Sequence, residues 1–392
     1  MPTKRRINWD VLRVLAVLCV VLQHATHAGP AAHPEISAPV FAFSLEFGAS
    51  ALVVISAFFA CAGLAKGEPG RFLRNRLARL FPAYLAAATS TYVVVRWVAP
   101  PGWSHAGPRD FVLNALMLQN WFPGVNLIDY SYWTLPVQVT GFVAGALLAS
   151  RLRGRALKAL LWALVVVPVA LREQAAAEPG LLNTLYNGLG AHRAQLFAIG
   201  VGIWLWSRSR LGEHHLFALL TAALLAQVVH TGDLRSTIGL GVVLIGVCAA
   251  AGGPDWDVAL VRALRRPIKW LAGISYGVYL VHQEIGYFVM VVVASVTPDP
   301  LVELAAFTGS AVVLGWLLTR FVERPAYRAL TANRRPAVVG LLLTAQSHLG
   351  SVGAAPPNRS PLWRPVNQPS TSAAAPPTSG DPSSAALSAQ LR

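Results

Sequence analysis

Arg13 and His24 are the first residues whose types and spacing could do chemistry. They sit in R-V-L-A-V-L-C-V-V-L-Q-H, a stretch that otherwise reads as membrane. Ionisable side chains are expensive in hydrocarbon and mark function by default. Eleven residues of α-helix make three turns plus roughly 20°, so both side chains share a face, roughly 16 Å apart along the axis. Arg13 then lies near one membrane surface and His24 well inside. The arrangement suits a long ligand whose charged end stays at the surface while its reactive end reaches a base. A neutral imidazole in a low-dielectric site is a general base for a hydroxyl, and His24 is the candidate. His27, one turn on, competes with it.

Four further stretches carry polar groups in apolar surroundings. In R-F-L-R-N-R-L-A-R-L-F-P (Arg71 to Pro82), Arg76 and Arg79 are i,i+3 neighbours. Two planar guanidinium forks at a helix start suit phosphate recognition, and anchoring to lipid headgroups is the competing role. In Y-S-Y-W-T-L-P-V-Q, Trp133 belongs to an aromatic belt and Gln138 sits one turn inside, in need of a partner. In I-S-Y-G-V-Y-L-V-H-Q-E, Tyr279, His282 and Glu284 form an intramembrane polar cluster. In F-V-E-R-P, Glu323 is placed to pair with an arginine of the Arg71–Arg79 run, and Arg324 follows it.

These stretches need a scaffold, and composition names it. The chain has 392 residues, 55% hydrophobic and 12% charged, with mean hydropathy +0.51. Soluble domains carry about 25% charged residues, so this is a membrane protein. The net charge of +15 is spread by loop, not gathered in a basic domain, which excludes nucleic acid as partner. Cys19, Cys61 and Cys248 fall in apolar segments at no metal-ligand spacing; they read as small buried hydrophobes, and no metal is expected. Arg6 and its basic neighbours precede the first apolar run without an A-x-A-type cleavage site, so the first helix is read as retained.

Hydropathy predicts an all-α, polytopic transmembrane bundle of about ten helices, near 9–28, 40–65, 78–98, 133–150, 156–171, 193–207, 214–230, 234–252, 271–296 and 301–322. With the N-terminus cytoplasmic, 24 of the 32 Lys and Arg fall on the cytoplasmic side, five outside and three in the tail. That places both termini in the cytoplasm and makes the span number even. In the longest outer loop, about 99–132, Asp110–Trp121 reads as a re-entrant or interfacial helix, in the position of a lid. The predicted domains are 1–335, the bundle; 336–352, an interfacial segment; and 353–392, a disordered Pro/Ala/Ser-rich tail. No internal repeat is evident, which weighs against inverted-repeat transporters.

Taken together, the stretches resemble the integral-membrane acyltransferase-3 family. Asp10, Arg13 and His24 are similar to its first-helix R/K-x10-H signature. Arg76-x-x-Arg79-Leu-Phe-Pro resembles its R-x-x-R motif, and Val54-Ile-Ser-Ala57 its F-F-x-x-S-G stretch, with Ala57 at the usual Gly. Trp133-Thr-Leu-Pro-Val-Gln138 resembles W-S/T-L-x-V-E, with Gln138 at the usual Glu. Ile274 to His282 resembles I-S-Y-S-L-Y-L-W-H, and Phe321 to Pro325 resembles F-x-E-R/K-P.

The resemblance implies an acetyl-coenzyme A or other acyl-CoA donor on the cytoplasmic side. It implies a hydroxyl acceptor on a glycan, glycolipid or natural product. His24 is expected to be catalytic. Arg13, Arg76, Arg79, Trp133, Gln138, Tyr279 and His282 are expected to bind substrate, and Asp10, Glu323 and Arg324 to make ion pairs. Gln138 removes one acid, for which Glu284 or Glu323 would compensate. Besides the bilayer, acyl-CoA and acceptor are the expected partners. High Ala, Arg and Gly suggest a bacterial source. The competing readings are a multi-span transporter or flippase, and a catalytically dead membrane scaffold.

Overall fold

The structure, a computed structural model, describes residues 6–332 except 101, 104, 105, 178 and 179. The expected interfacial segment and tail, 336–392, lie outside the described residues. Every regular element described is helical.

The helices are α1 (Ile7–Ala32), α2 (Phe47–Leu64), α3 (Pro69–Val93), α4 (Pro108–Ala115), α5 (Thr134–Leu148), α6 (Gly154–Ala177), α7 (Leu181–Gly188), α8 (Ala194–Trp206), α9 (Glu213–Thr231), α10 (Leu234–Gly252), α11 (Arg265–Val281), α12 (Glu284–Ala294) and α13 (Pro300–Thr331); a one-turn helix precedes α11. Six of them, α1, α2, α6, α9, α10 and α13, are long and apolar enough to cross a membrane. Counting α11 and α12 as one broken span makes seven, fewer than the ten expected from hydropathy. The difference has a physical source. Helices α5 and α8 have 15 and 13 residues, short of the roughly 20 a straight span needs. Helix α3 has 25, but its first half carries Arg71, Arg74, Arg76 and Arg79.

Small residues set the closest approaches. A side chain at Gly48 would meet Ala16 O at 2.5 Å, so only glycine lets α2 lie on α1. A Cβ at Gly200 would stand 2.7 Å from Ala57 Cβ, so the methyl of Ala57 is accommodated by a glycine on α8. Such contacts replace the hydrophobic drive that helices lack in lipid. Around them, one apolar core joins α1, α2, α6, α8, α9 and α10; another joins α3 and the loop before α5 to α11.

The expected helix over Asp110–Trp121 stops at Ala115. Met117 takes a positive φ of 58°, and a 3-10 turn covers Gln119–Trp121. Asn114 is the reason: wholly buried, its amide donates to Asp110 O and Asn126 O, and its carbonyl accepts from Ile128 N–H. The loop folds on a side-chain hub instead of continuing the helix.

Candidate functional site

Two local features place the site. First, α1 widens into a π-helical turn over His24–Ala28, where Gly29 N–H reaches back five residues to His24 O. Pro30 follows and has no N–H to offer, so one rung of the ladder is missing before His33 N–H closes the last turn on Gly29 O. Single π turns inside α-helices recur at functional sites. Second, α11 and α12 are broken at His282–Gln283 and bent by 77°.

The break would strand backbone groups where water is scarce, and each must find a partner. His282 Nδ1–H donates to Tyr279 O at 2.8 Å, and Tyr132 OH donates to Leu280 O at 2.9 Å. Glu284 N–H donates to Asp129 Oδ2 at 3.4 Å. The turn Tyr130–Trp133 is stitched to the same kink. Ser131 N–H donates to Gln283 Oε1 at 3.0 Å, Tyr279 OH donates to Ser131 O at 2.7 Å, and Thr134 OH donates to Tyr279 Oη at 3.0 Å. The aromatic motif before α5 and the polar motif of α11 are therefore one unit.

Hydrogen bonding fixes the state of both histidines. A carbonyl only accepts, so His24 Nδ1, 2.9 Å from Val20 O, carries its proton, and so does His282 Nδ1. His282 Nε2 then holds a lone pair, 3.3 Å from His24 Nδ1. What remains on His24 is an unprotonated Nε2, the state a general base needs.

His24 lines a cavity of about 290 Å³. Its near wall is Ser131, Tyr279, Gln283, Glu284, Tyr287 and His33; its far arm includes Glu46, Trp133, Arg193, Gln227, Asp233 and Ser236. His33, beyond the end of α1, stacks on Trp103 with ring centroids 4.1 Å apart. Burial lowers its affinity for a proton, and the charge of Glu35 opposes that. In the loop before α5, burial pushes the Asp129 carboxyl up to about 6, against hydrogen bonds from Ser131 and Glu284.

The expected arginines lie elsewhere. Helix α13 begins beside the segment between α1 and α2, where Ser37 N–H donates to Glu303 at 3.1 Å. It ends beside the start of α3, where Arg79 Nε meets Glu323 Oε1 at 3.2 Å. The Arg76–Arg79 cluster is thus at the opposite end of α13 from the Ser37 contact. The Arg76 guanidinium lies over the touching rings of Phe72 and Phe142, 5.5 and 5.2 Å from their centroids. Arg13 is 3.7 Å from Asp10 and stacks 4.9 Å from the Phe59 centroid. Arg324 opens the last turns of α13 with its guanidinium against Gly273. None of Arg13, Arg76 and Arg79 lines the His24 cavity.

Among the remaining sequence candidates, Trp133, Tyr279 and Glu284 line the cavity, and His282 is wholly buried behind His24. Gln138, half-buried on α5, is not among the cavity residues. Sequence reasoning missed Asp129, Glu46, His33 and Arg193. Asp129 had a legible signal: an Asp before a short turn is a capping residue, and its carboxylate accepts from Ser131 N–H at 2.8 Å. Among the described residues, no group of three His, Cys, Asp or Glu could hold a metal.

No curated protein and no solved structure matches the chain. The family model of the acyltransferase-3 domain, described as an acyltransferase domain, matches residues 6–320. That range carries the π turn with His24, the kink with His282 and the arginine cluster, and the chain belongs to the acyltransferase-3 family.

Proposed function

We propose that the protein is a membrane O-acyltransferase that moves an acyl group, acetyl by default, from acyl-CoA to a hydroxyl of a carbohydrate, glycolipid or natural product. The observation that carries this reading is His24, held with its proton on Nδ1 and its base nitrogen unprotonated, beside a polar cavity.

The step balances at His24. Nε2 takes the acceptor's hydroxyl proton as the oxygen attacks the thioester carbonyl carbon. The ester bond forms, the carbon–sulfur bond breaks, and the proton passes to the departing thiolate. Val20 O and His282 Nε2 both face Nδ1–H and stabilise the imidazolium that forms between the two proton transfers. The donor enters from the cytoplasmic end, with both termini on that side. Arg13, Arg76 and Arg79 receive its phosphates there, and its long pantetheine arm spans the roughly 16 Å to His24. Trp133, Tyr279 and the far arm hold the acceptor.

Two measurements on detergent-purified full chain test this. Acetyl-CoA should bind saturably to wild type and be lost in Arg76→Ala/Arg79→Ala. Thioester consumption with transfer should vanish in a folded His24→Ala protein. A well-folded wild type that neither binds nor consumes acyl-CoA would turn the weight to transport.

A further inference from the structure

The far arm of the cavity holds a cation with no carboxylate at ion-pair distance among the described residues; Glu46 acts on it only from farther off. Arg193 sits in the turn before α8, its guanidinium 4.5 Å from the Trp133 ring centroid. Its Nε is buried and has no hydrogen-bond partner, and it makes no ion pair among the described residues. Two neighbouring rings share the deficit: His192 Nδ1 and His230 Nε2 are also buried without partners. A charge left buried and unpaired is strongly unfavourable unless a ligand completes it.

Most other polar groups here are engaged with one another, although Gln195 Oε1 is also buried without a partner. Gln195 donates to Gln227 Oε1 at 2.8 Å and to His192 O at 3.2 Å. Tyr186 OH donates to Pro168 O at 3.0 Å. The two carboxylates that line the arm hold partners of their own. Glu46 accepts from the Gln23 amide at 3.4 Å, and Asp233 accepts from Ser236 N–H at 2.9 Å as the N-cap of α10. Burial, aromatic support and missing acceptors converge on Arg193, which opens on the cavity that holds His24.

From this geometry we infer that Arg193 is an acceptor-specificity residue: it binds an oxyanion, carboxylate or phosphate, carried by the acceptor at a distance from the hydroxyl that is acylated. The inference rests on the acyl-transfer reading of the same cavity. Guanidinium presents a planar fork to either oxyanion, and its stacking on Trp133 fixes the fork before the ligand arrives. A neutral acceptor would leave the fork without an oxyanion in direct contact. Glu46 and Asp233, which line the same cavity, accept hydroxyls, so the arm takes a monoanionic or singly phosphorylated polyol better than a dense polyanion.

The test uses one ring in three charge states: glucose, glucuronate and glucose 6-phosphate. Each is titrated by calorimetry into detergent-purified full chain, wild type beside Arg193→Ala and Arg193→Lys. Wild type should bind glucuronate or glucose 6-phosphate at least tenfold tighter than glucose, and the better of the two names the oxyanion. Arg193→Ala should lose that preference and Arg193→Lys recover part of it. Glucose bound as tightly as both anions by wild type would overturn the proposal, as would a folded Arg193→Ala protein that keeps the preference. Acyl-CoA consumption is read separately on the same preparations. Anion preference without it would leave the anion site standing and sink the acyl-transfer reading; consumption without anion preference would do the reverse.

Discussion

His282 Nε2 stands 3.3 Å from His24 Nδ1, joining two residues 258 positions apart across the π turn of α1 and the kink of α11 and α12. Because Tyr279 O takes the proton on His282 Nδ1, the nitrogen offered to His24 can only accept. His282 is therefore a positioning residue that holds His24 in its useful tautomer. His24→Ala should lower kcat about 10²–10⁴-fold, the usual worth of a general base. His282→Ala should lower kcat less, on the order of tenfold or more, with KM for acyl-CoA unchanged and the acid limb of the pH–rate profile displaced. His282→Asn, whose carbonyl can still accept from His24, should recover part of kcat. An Ala variant whose pH profile overlays the wild type would reduce the contact to packing.

Arg79 and Glu323 pair at 3.2 Å, and Thr319 OH fixes the other carboxylate oxygen at 3.2 Å. Arg79 is half exposed while Glu323 is buried, so screening leaves the pair worth about 1 kcal/mol or less. If Arg79 receives a donor phosphate, it must leave Glu323 to do so. Glu323→Gln should then lower KM for acyl-CoA severalfold and lower the melting temperature in detergent slightly. A raised KM would show instead that the ion pair presents Arg79 in its binding position.

Gly315 on α13 faces α11 so closely that a Cβ there would stand 2.5 Å from Val278 N and 2.7 Å from Val278 Cγ2. Gly309, on the same helix, has open space at that position. Overpacking costs about 1–3 kcal/mol, and α11 carries Tyr279 and leads into His282. Gly315→Ala should reduce both melting temperature and kcat, while Gly309→Ala should change neither. Equal melting of the two variants would show that α13 shifts freely on α11.

Much of the candidate site is legible because ionisable groups in apolar runs stand out: His24, Tyr279, His282 and Glu284 are picked by that contrast alone. Hydropathy counts ten spans where six or seven helices are long and apolar enough to cross, since a hydropathy window does not read helix length: α8 has only 13 residues. Bends were also hidden. Nothing in V-H-Q-E marks a 77° break, because partners far along the chain, Tyr132 among them, satisfy its freed carbonyls. Gln138, one turn inside α5, does not line the cavity. Arg193 looked like an ordinary loop arginine, and only its burial over Trp133 separates it from the others.

Asp129 tests whether the kink itself serves the reaction. Its carboxylate accepts from Ser131 N–H and Oγ–H and from Glu284 N–H, so it ties the Tyr130–Trp133 turn to the first residue of α12. An asparagine at this position could keep the bond from Ser131, but an amide NH₂ turned to Glu284 N–H would set donor against donor. Unsatisfied buried groups cost about 1–3 kcal/mol each. Asp129→Asn should therefore lower melting temperature and also lower kcat, because Ser131, Gln283 and Tyr279 all line the cavity. Tyr279→Phe removes two bonds on the other side of the same turn, to Ser131 O and Thr134 Oγ1. The two losses act on one element, so the double variant should fall short of additivity by about 0.5 kcal/mol or more. Strict additivity in both melting and kcat would mean that the turn and the kink act separately.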